Sequence, residues 1–308
     1  MIYRVLSVAF GAAALLAVGM GCAEPSDPTS STADTTAAAA PSTDIYLAPL
    51  QGQGDEVRVG APVSITPRAG YDNQPAFTPD GRAVLYTAVR DGQADTYRYT
   101  LADSTRRAVT ATPTSEYSPT PHGEGFSVVR VEADGTQRLW QFAADGTAPT
   151  LLLPGIQPVG YHAWATPDRA ALYVLGDPAS LVLANRDAGT ADTLARAIGR
   201  SLQVVPGREA TISFVQHTSD STAQIHLLDA MTGMTEPLVA TRPGGDFHAW
   251  TPEGLLLMAE GATLYQYDPS DDAGWRPIAD LAPLRDVTRL AVSPRGDRLA
   301  LVAAEPTN

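Results

Sequence analysis

The sequence predicts an all-β protein, a six-bladed β-propeller built from four-stranded antiparallel blades. The first observation is a repeat whose marker, a proline followed by turn residues, recurs at Pro79, Pro121, Pro167, Pro206, Pro252 and Pro294. The intervals are 42, 46, 39, 46 and 42 residues, a period typical of propeller blades. The second is that each marker separates two short apolar or β-branched runs, as the turn of a hairpin does. The third is an incomplete last unit whose missing strands have counterparts near the N-terminus.

The first unit shows the pattern of strands most clearly. Residues 77–81 read Phe-Thr-Pro-Asp-Gly, and an apolar run follows at 84–89. An Asp-Gly turn at 91–92 and the run 95–99 come next. Proline presets φ and glycine accepts a positive φ, so both turns are favourable. With the segment before the proline and a short run at its end, each unit contains four strands, the arrangement that protects sheet edges in propellers.

The sixth unit stops after its second strand. Residues 298–303 form the apolar run after Pro294, and only 305–308 follow. Residues 44–48 match the third strand of the first unit, 95–99, and residues 60–65 match a fourth strand. We therefore expect the last blade to be closed by the N-terminal strands.

Residues 77–97 resemble the repeat of the TolB-like, WD-repeat-like bacterial propellers. The shared pattern is an aromatic residue, Ser or Thr, Pro-Asp-Gly, an apolar strand, an Asp-Gly turn and an Asp-x-Tyr strand. The likeness extends over all six units and is sharpest in the first. TolB carries an additional N-terminal α/β domain, to which no segment of this sequence corresponds. The resemblance implies an exported propeller used mainly to bind proteins or ligands.

The N-terminus has the features of a targeting segment. Arg4 supplies a positive charge, and an apolar stretch continues to Met20, so residues 1–21 are predicted to be a signal peptide. Cys22, the single cysteine, directly follows Gly21 and resembles the lipidated residue of bacterial lipoproteins, although Gly19 stands where leucine is usual. We expect Cys22 to be lipidated; the alternative is an ordinary secretory signal with an incidental cysteine.

Residues 22–43 are rich in Pro, Ser, Thr and Ala and are predicted to be a disordered tether between the lipid and residues 44–308, the propeller. Ala23 follows the cysteine where aspartate would indicate retention at the inner membrane. By resemblance to lipoprotein sorting, we expect an exported, membrane-anchored lipoprotein of the outer membrane that faces the periplasm. No later segment is apolar over the length of a membrane span.

The charge of the chain excludes several classes of function. The formal net charge is −13, and all 21 basic residues are arginines. A negative surface argues against nucleic acid and anionic headgroups as partners, so contact with the membrane is expected only through the N-terminal lipid. The lack of lysine excludes Schiff-base and P-loop chemistry.

For the oligomeric state of the protein, we expect a monomer.

The tetrapeptide aromatic-His-Ala-Trp occurs twice, at 161–164 and 247–250, just before the markers of units three and five. Innermost propeller strands line the central channel, so His162 and His248 are candidates for holding a metal, an anion or a small polar ligand. In the alternative, each histidine bonds neighbouring backbone and each tryptophan packs between blades. Further candidates share comparable positions before the other markers, where single residues also serve as turn or cap formers: Asp72, Gln74, Glu116, Tyr117 and Arg289.

Motifs of catalysis are missing from the sequence: it has no Gly-x-Ser-x-Gly, His-Glu-x-x-His, EF-hand loop or Gly-x-Gly-x-x-Gly. His122 replaces the Asp of a marker turn and is expected at the surface. The sequence favours a non-catalytic scaffold without a cofactor that binds an envelope protein or a small polar ligand. The alternative is a metal-dependent propeller enzyme, of lyase or lactonase type, that uses the channel histidines. A third hypothesis is a purely structural envelope protein, which the sequence does not distinguish from the non-catalytic binding scaffold.

Overall fold

The computed structural model describes residues 42–52, 57–219, 222–271 and 273–304, and its regular elements are 25 β-strands. The predicted all-β, six-bladed propeller of four-stranded antiparallel blades is confirmed. Within these residues, no helix is long and apolar enough to cross a membrane. The predicted signal peptide, Cys22 and nearly all of the predicted tether lie outside them.

Blades 1 to 3 each form a four-stranded antiparallel sheet in which successive strands are neighbours. Blade 1 consists of β4 (Asp72–Phe77), β5 (Ala83–Arg90), β6 (Gln93–Thr100) and β7 (Thr105–Ala108). Blade 2 consists of β8 (Ser115–His122), β9 (Gly125–Val131), β10 (Gln137–Ala143) and β11 (Thr150–Leu151). Blade 3 consists of β12 (Val159–Trp164), β13 (Arg169–Val174), β14 (Ser180–Asn185) and β15 (Thr190–Arg196).

Blades 4 and 5 repeat this order. Blade 4 consists of β16 (Ile198–Val204), β17 (Thr211–His217), β18 (Ala223–Asp229) and β19 (Thr235–Ala240). Blade 5 consists of β20 (His248–Trp250), β21 (Leu256–Glu260), β22 (Thr263–Tyr267) and β23 (Arg276–Asp280). In each of these blades the first strand contains or directly precedes the proline marker that the sequence repeats.

Blade 6 joins the two ends of the described chain. Its inner strands are β24 (Leu290–Val292) and β25 (Arg298–Ala304), and β1 (Thr43–Gln51) pairs with β25. That pairing is antiparallel over seven residue pairs, from Thr43 opposite Ala304 to Pro49 opposite Arg298. The predicted closure by N-terminal strands is therefore confirmed.

The outer edge of blade 6 differs in detail from the single strand expected at 60–65. Two short strands, β2 (Arg58–Val59) and β3 (Val63–Ser64), both pair with β1. Pro62 lies between them and has no N–H to donate to a ladder, which accounts for the interruption.

The marker turns are held by short side chains. Thr78 donates its hydroxyl to Asp80 Oδ1 at 2.6 Å, and the amide of Ala83 donates back to Thr78 Oγ1 at 3.0 Å. Gly81 completes this turn with φ of 65°, a conformation that is costly for a residue with a side chain. The same threonine-to-aspartate bond recurs in blade 3, from Thr166 to Asp168 at 2.7 Å. The turn chemistry read from the sequence thus operates in the folded protein.

The core consists of apolar layers between successive blades. One layer, between blades 6 and 1, contains Ile45, Tyr86 and Val302, each completely buried. Comparable clusters lie between blades 1 and 2, 2 and 3, 3 and 4, 4 and 5, and 5 and 6. Each blade therefore depends on both neighbours for burial of its faces, and the first strand of each is left at the centre of the ring.

Candidate functional site at the centre of the ring

A cavity of about 380 Å³ occupies the centre of the propeller and is lined by the innermost strands of all six blades and the residues next to them. Among the described residues that line it, the charged side chains are Arg200 and Arg289, and none is an aspartate or a glutamate. The two tetrapeptides, 161–164 and 247–250, both contribute to the wall. The cavity is the natural candidate for a binding site, because concave sites with a few converging polar groups are where ligands bind.

The histidine of the first tetrapeptide is tied to the preceding blade. His162 Nε2 lies 2.7 Å from the hydroxyl of Ser127, a completely buried residue on β9 of blade 2. Trp164 donates its indole N–H to the same hydroxyl at 2.9 Å. Ser127 therefore joins His162 and Trp164 across the boundary between blades 2 and 3.

The second tetrapeptide repeats this arrangement. His248 Nε2 lies 2.7 Å from the hydroxyl of Ser213 on β17 of blade 4. Trp250 donates its indole N–H to that hydroxyl at 2.8 Å. We call each set, Ser127–His162–Trp164 and Ser213–His248–Trp250, a serine triad. In both triads the serine precedes its histidine by 35 residues.

Burial keeps both imidazoles neutral. His162 is 6% exposed and His248 is 1% exposed. Loss of hydration disfavours the charged imidazolium and lowers the pKa of each histidine to about 3. Both histidines are neutral, bonded to serines and packed between blades. This resembles the alternative given from the sequence, in which each histidine bonds neighbouring backbone, except that its partner is a serine hydroxyl. Ligand binding by them remains a prediction.

The serines were missed by the sequence reasoning, although a signal for them exists. Phe-Ser-Val-Val at 126–129 and Ile-Ser-Phe-Val at 212–215 place one serine at the same point of an otherwise apolar strand. Both are followed by an aromatic-His-Ala-Trp tetrapeptide at the same distance. The expectation that His122 lies at the surface was wrong: it is 8% exposed and stacks on Trp164, with 3.7 Å between ring centroids.

Asp72 begins β4 but does not line the cavity. Its carboxylate is completely buried and forms ion pairs with Arg68 at 3.0 Å and with Arg90 at 3.2 Å. Two cations on one buried carboxylate offset much of the cost of removing it from water. Asp72 thus lies elsewhere than the channel position expected from the repeat, and a ligand role for it remains a prediction.

Glu116 likewise lies beside the cavity rather than in its wall. It accepts hydrogen bonds from the hydroxyls of Thr110, at 3.0 Å, and Thr112, and Arg130 Nε is 3.4 Å from its Oε1. Burial raises the pKa of Glu116 to about 7, with a smaller contribution from the charge of Asp95. The carboxyl is held by Arg130 of its own blade and by the segment between β7 and β8, and ligand binding by it also remains a prediction.

Arg289 lines the cavity, as do Gln74, His162 and His248 among the sequence-predicted candidates. Its guanidinium carbon lies 4.3 Å from the ring centroid of Phe247 and 4.9 Å from that of Tyr161. Its Nη2 also donates to the hydroxyl of Tyr161 at 2.9 Å. Two aromatic rings from blades 3 and 5 therefore fix the orientation of one guanidinium from blade 6.

Further side chains lie within electrostatic range of this arginine. Burial raises the pKa of Tyr71 to about 12, and the charges of Arg289 and Arg200 oppose that rise. Tyr161 and Tyr117 also act electrostatically on Tyr71. Tyr161, Arg200, Phe247 and Arg289 line the cavity, whereas Tyr71 and Tyr117 lie outside its lining. We call this set the arginine mouth: Tyr71, Tyr117, Tyr161, Arg200, Phe247 and Arg289. Tyr117 and Arg289 were predicted from the repeat, and Tyr161 and Phe247 are the aromatic residues of the two tetrapeptides; Tyr71 and Arg200 belong to no shared motif.

The donor set does not fit a metal centre. Among the described residues, no group of three or more His, Cys, Asp or Glu side chains is arranged to hold a metal ion. The Nε2 atoms of both channel histidines are already within hydrogen-bonding distance of serines. A metal-dependent lyase or lactonase would need such ligands close together.

Comparison with solved structures agrees with this architecture. A TolB-like protein from Agrobacterium tumefaciens superposes with a TM-score of 0.66 at 17% identity, over 87% of this chain and 100% of the other. TolB from Acinetobacter baumannii gives 0.54 at 13% identity, over 86% of this chain and 65% of the other. The chain has the fold of the TolB-like propellers.

The same fold also serves enzymes. A gluconolactonase from Xanthomonas campestris superposes with a TM-score of 0.60 at 12% identity, over 86% of this chain and 98% of the other. No protein-family model matches the sequence, and none of the curated proteins matches it. At these identities the likeness to TolB-like propellers and to lactonases concerns fold, so function has to be argued from the site itself.

Proposed function

We propose that this protein is a non-catalytic binding propeller of the cell envelope, anchored by a lipidated Cys22, whose ligand or partner is recognised at the central cavity. The observation that carries the proposal is the lining of that cavity. It offers recognition groups, namely two arginines and several aromatic rings, while its two histidines are neutral and bonded to serines. Both rings are buried and their Nε2 atoms face serine hydroxyls, an arrangement that supports a packing role more than the role of a general base or a metal ligand.

The export and anchoring part of the proposal rests on the sequence. The apolar segment up to Met20, the single cysteine and the resemblance to exported TolB-like propellers all support it. A lipid at the N-terminus would hold the protein at a membrane without a membrane-spanning segment.

The proposed lack of metal catalysis is tested by metal content. Protein incubated with Mn²⁺ or Ca²⁺ and then desalted should retain clearly less than one equivalent by mass spectrometry of the metal, and chelator should leave its melting temperature unchanged. A stoichiometric metal that disappears in the His162→Gln, His248→Gln double variant would establish the lyase or lactonase alternative. The Arg107→Gln variant, changed on the outer strand of blade 1, serves as the control.

The proposed anchor is tested at Cys22. The Cys22→Ser variant should move from the membrane fraction to the soluble fraction, because it lacks the thiol that would receive the lipid. Mass spectrometry of the mature N-terminus of the unaltered protein should show a diacylglyceryl-modified cysteine. An unmodified cysteine, or cleavage at another position, would make the protein an ordinary secreted one. Capture of bound proteins from membranes with the anchored form would then identify partners.

A further inference from the structure

The arginine mouth is a built site for a negatively charged group. Arg289 is held between the rings of Tyr161 and Phe247, so little side-chain freedom remains for a ligand to restrict. A guanidinium has five N–H donors, and the hydrogen bond to Tyr161 uses one of them. The arginine is therefore oriented before any ligand arrives and still has donors to offer.

The charge around this arginine is unusual for the chain. The protein has 34 acidic residues, and within the described residues neither Arg289 nor Arg200 forms an ion pair. The carboxylate of Asp246 accepts a hydrogen bond from the backbone amide of Arg200 at 3.3 Å and lies outside the lining of the cavity. Two cations that form no ion pair, beside a cavity whose described lining contains no acidic side chain, favour a negatively charged group at this place.

We propose that the arginine mouth binds the carboxylate of a small organic monoanion, with the planar carboxylate on Arg289 and the rest of the molecule against the aromatic rings. This inference rests on the proposed function, because it names the ligand class of the same cavity. A guanidinium matches a carboxylate with two parallel hydrogen bonds. Tyr161 and Phe247, which contact the guanidinium and line the cavity, supply apolar ring surface beside that position.

A monoanion is favoured over a multiply charged ion. The net charge of −13 repels any anion that approaches, and that repulsion grows with the charge of the ligand. A dianionic phosphate therefore has more to overcome than a carboxylate, and it has no apolar part to place against the rings. Aromatic rings in the mouth favour a ligand that combines one charge with an apolar body.

Benzoate, benzamide and inorganic phosphate are the probes, since benzamide has the shape of benzoate without its charge. Titration calorimetry or ligand-observed NMR on the whole mature protein should show benzoate binding with a dissociation constant in the millimolar range or below. Benzamide and phosphate should bind at least about tenfold more weakly. Arg289→Gln should weaken benzoate binding at least about tenfold, and Arg200→Gln by a smaller factor. Arg107→Gln removes the same charge from an exposed position on the outer strand of blade 1 and should leave binding unchanged.

The conservative variant Arg289→Lys keeps the test interpretable if the Arg289→Gln protein fails to fold. It keeps the charge but loses the planar fork, so benzoate binding should fall between that of the unaltered protein and that of Arg289→Gln. Equal binding of benzamide, tighter binding of phosphate, or full binding by a folded Arg289→Gln protein would overturn the carboxylate inference. Absence of binding by all three probes would overturn it too. None of these results bears on the metal test or on the Cys22 test, and it is those two tests whose failure would overturn the proposed function.

Discussion

The Ile45→Asp variant should lose most of the stability of the ring. Ile45 is completely buried on β1, in the apolar layer between blades 6 and 1. The change removes apolar burial and places a carboxylate in that layer, so we expect a loss of more than about 4 kcal/mol in the free energy of unfolding. Urea unfolding followed by tryptophan fluorescence measures it.

Val63→Asp is the matched control for this experiment. Val63 belongs to the same N-terminal part of blade 6, on β3, but is 65% exposed. Its replacement should change stability by no more than about 0.5 kcal/mol.

Deletion of residues 44–65 should cause aggregation. It removes the partner strand of β25, and the exposed strand edge should pair with other molecules, which size-exclusion chromatography would detect. A truncated protein that remains monomeric with unchanged melting would contradict the shared blade.

Stability should fall steeply as pH is lowered from about 6.5 toward 3, because of the serine triads. In the folded protein burial lowers the pKa of His162 and of His248 to about 3, from the ordinary histidine value of 6.5. Between these two values the unfolded chain binds protons that the folded chain does not, so falling pH favours unfolding. Each histidine should cost about 2 kcal/mol of stability by pH 5, relative to neutral pH.

Single and double replacements separate this effect from other titrations. Glu116 has the opposite sign: its pKa is raised to about 7, so its contribution to stability is gained as pH falls through the range from 7 to 4.5. Urea unfolding at pH 7.5 and at pH 5 should therefore show a smaller loss for His248→Gln, and a smaller loss again when His162→Gln is added. His217→Gln, which removes a more exposed histidine, should keep the full loss. An unchanged loss in the double variant would show that the buried imidazoles do not control it.

The fold could be predicted because the turns and strands that define it are specified by residues close together in the sequence. Pro79, Asp80 and Gly81 specify a turn by backbone preference and by one short hydrogen bond, and such turns recur at the period of a blade. The closure was predictable as well, since residues 44–48 repeat the pattern of a third strand. The split between β2 and β3 was not predicted; it follows from Pro62, which has no N–H to donate to a ladder.

The candidate site was less predictable, for a physical reason. Position in the repeat indicated which residues start an inner strand, but not which way a side chain turns or what lies opposite it on the next blade. His162 is oriented by Ser127, 35 residues away, and Asp72 by Arg68 and Arg90. The arginine mouth depends on Tyr161, Phe247 and Arg289 from three different blades. Such contacts across blades arise only when the ring is assembled.

The pairing of β1 with β25 has a consequence for the order of events during folding. Thr43 lies opposite Ala304, so the first strand in the sequence, β1, gains its full set of hydrogen bonds only when the last strand, β25, is present. Contacts that join the two ends of a chain carry the largest entropic cost of loop closure and slow folding. Blades 1 to 5 can form as the chain emerges, whereas blade 6 is completed last. Until then β1 and the face of blade 1 that it covers are exposed. A chaperone that acts during synthesis or export would therefore bind at the boundary between blades 6 and 1.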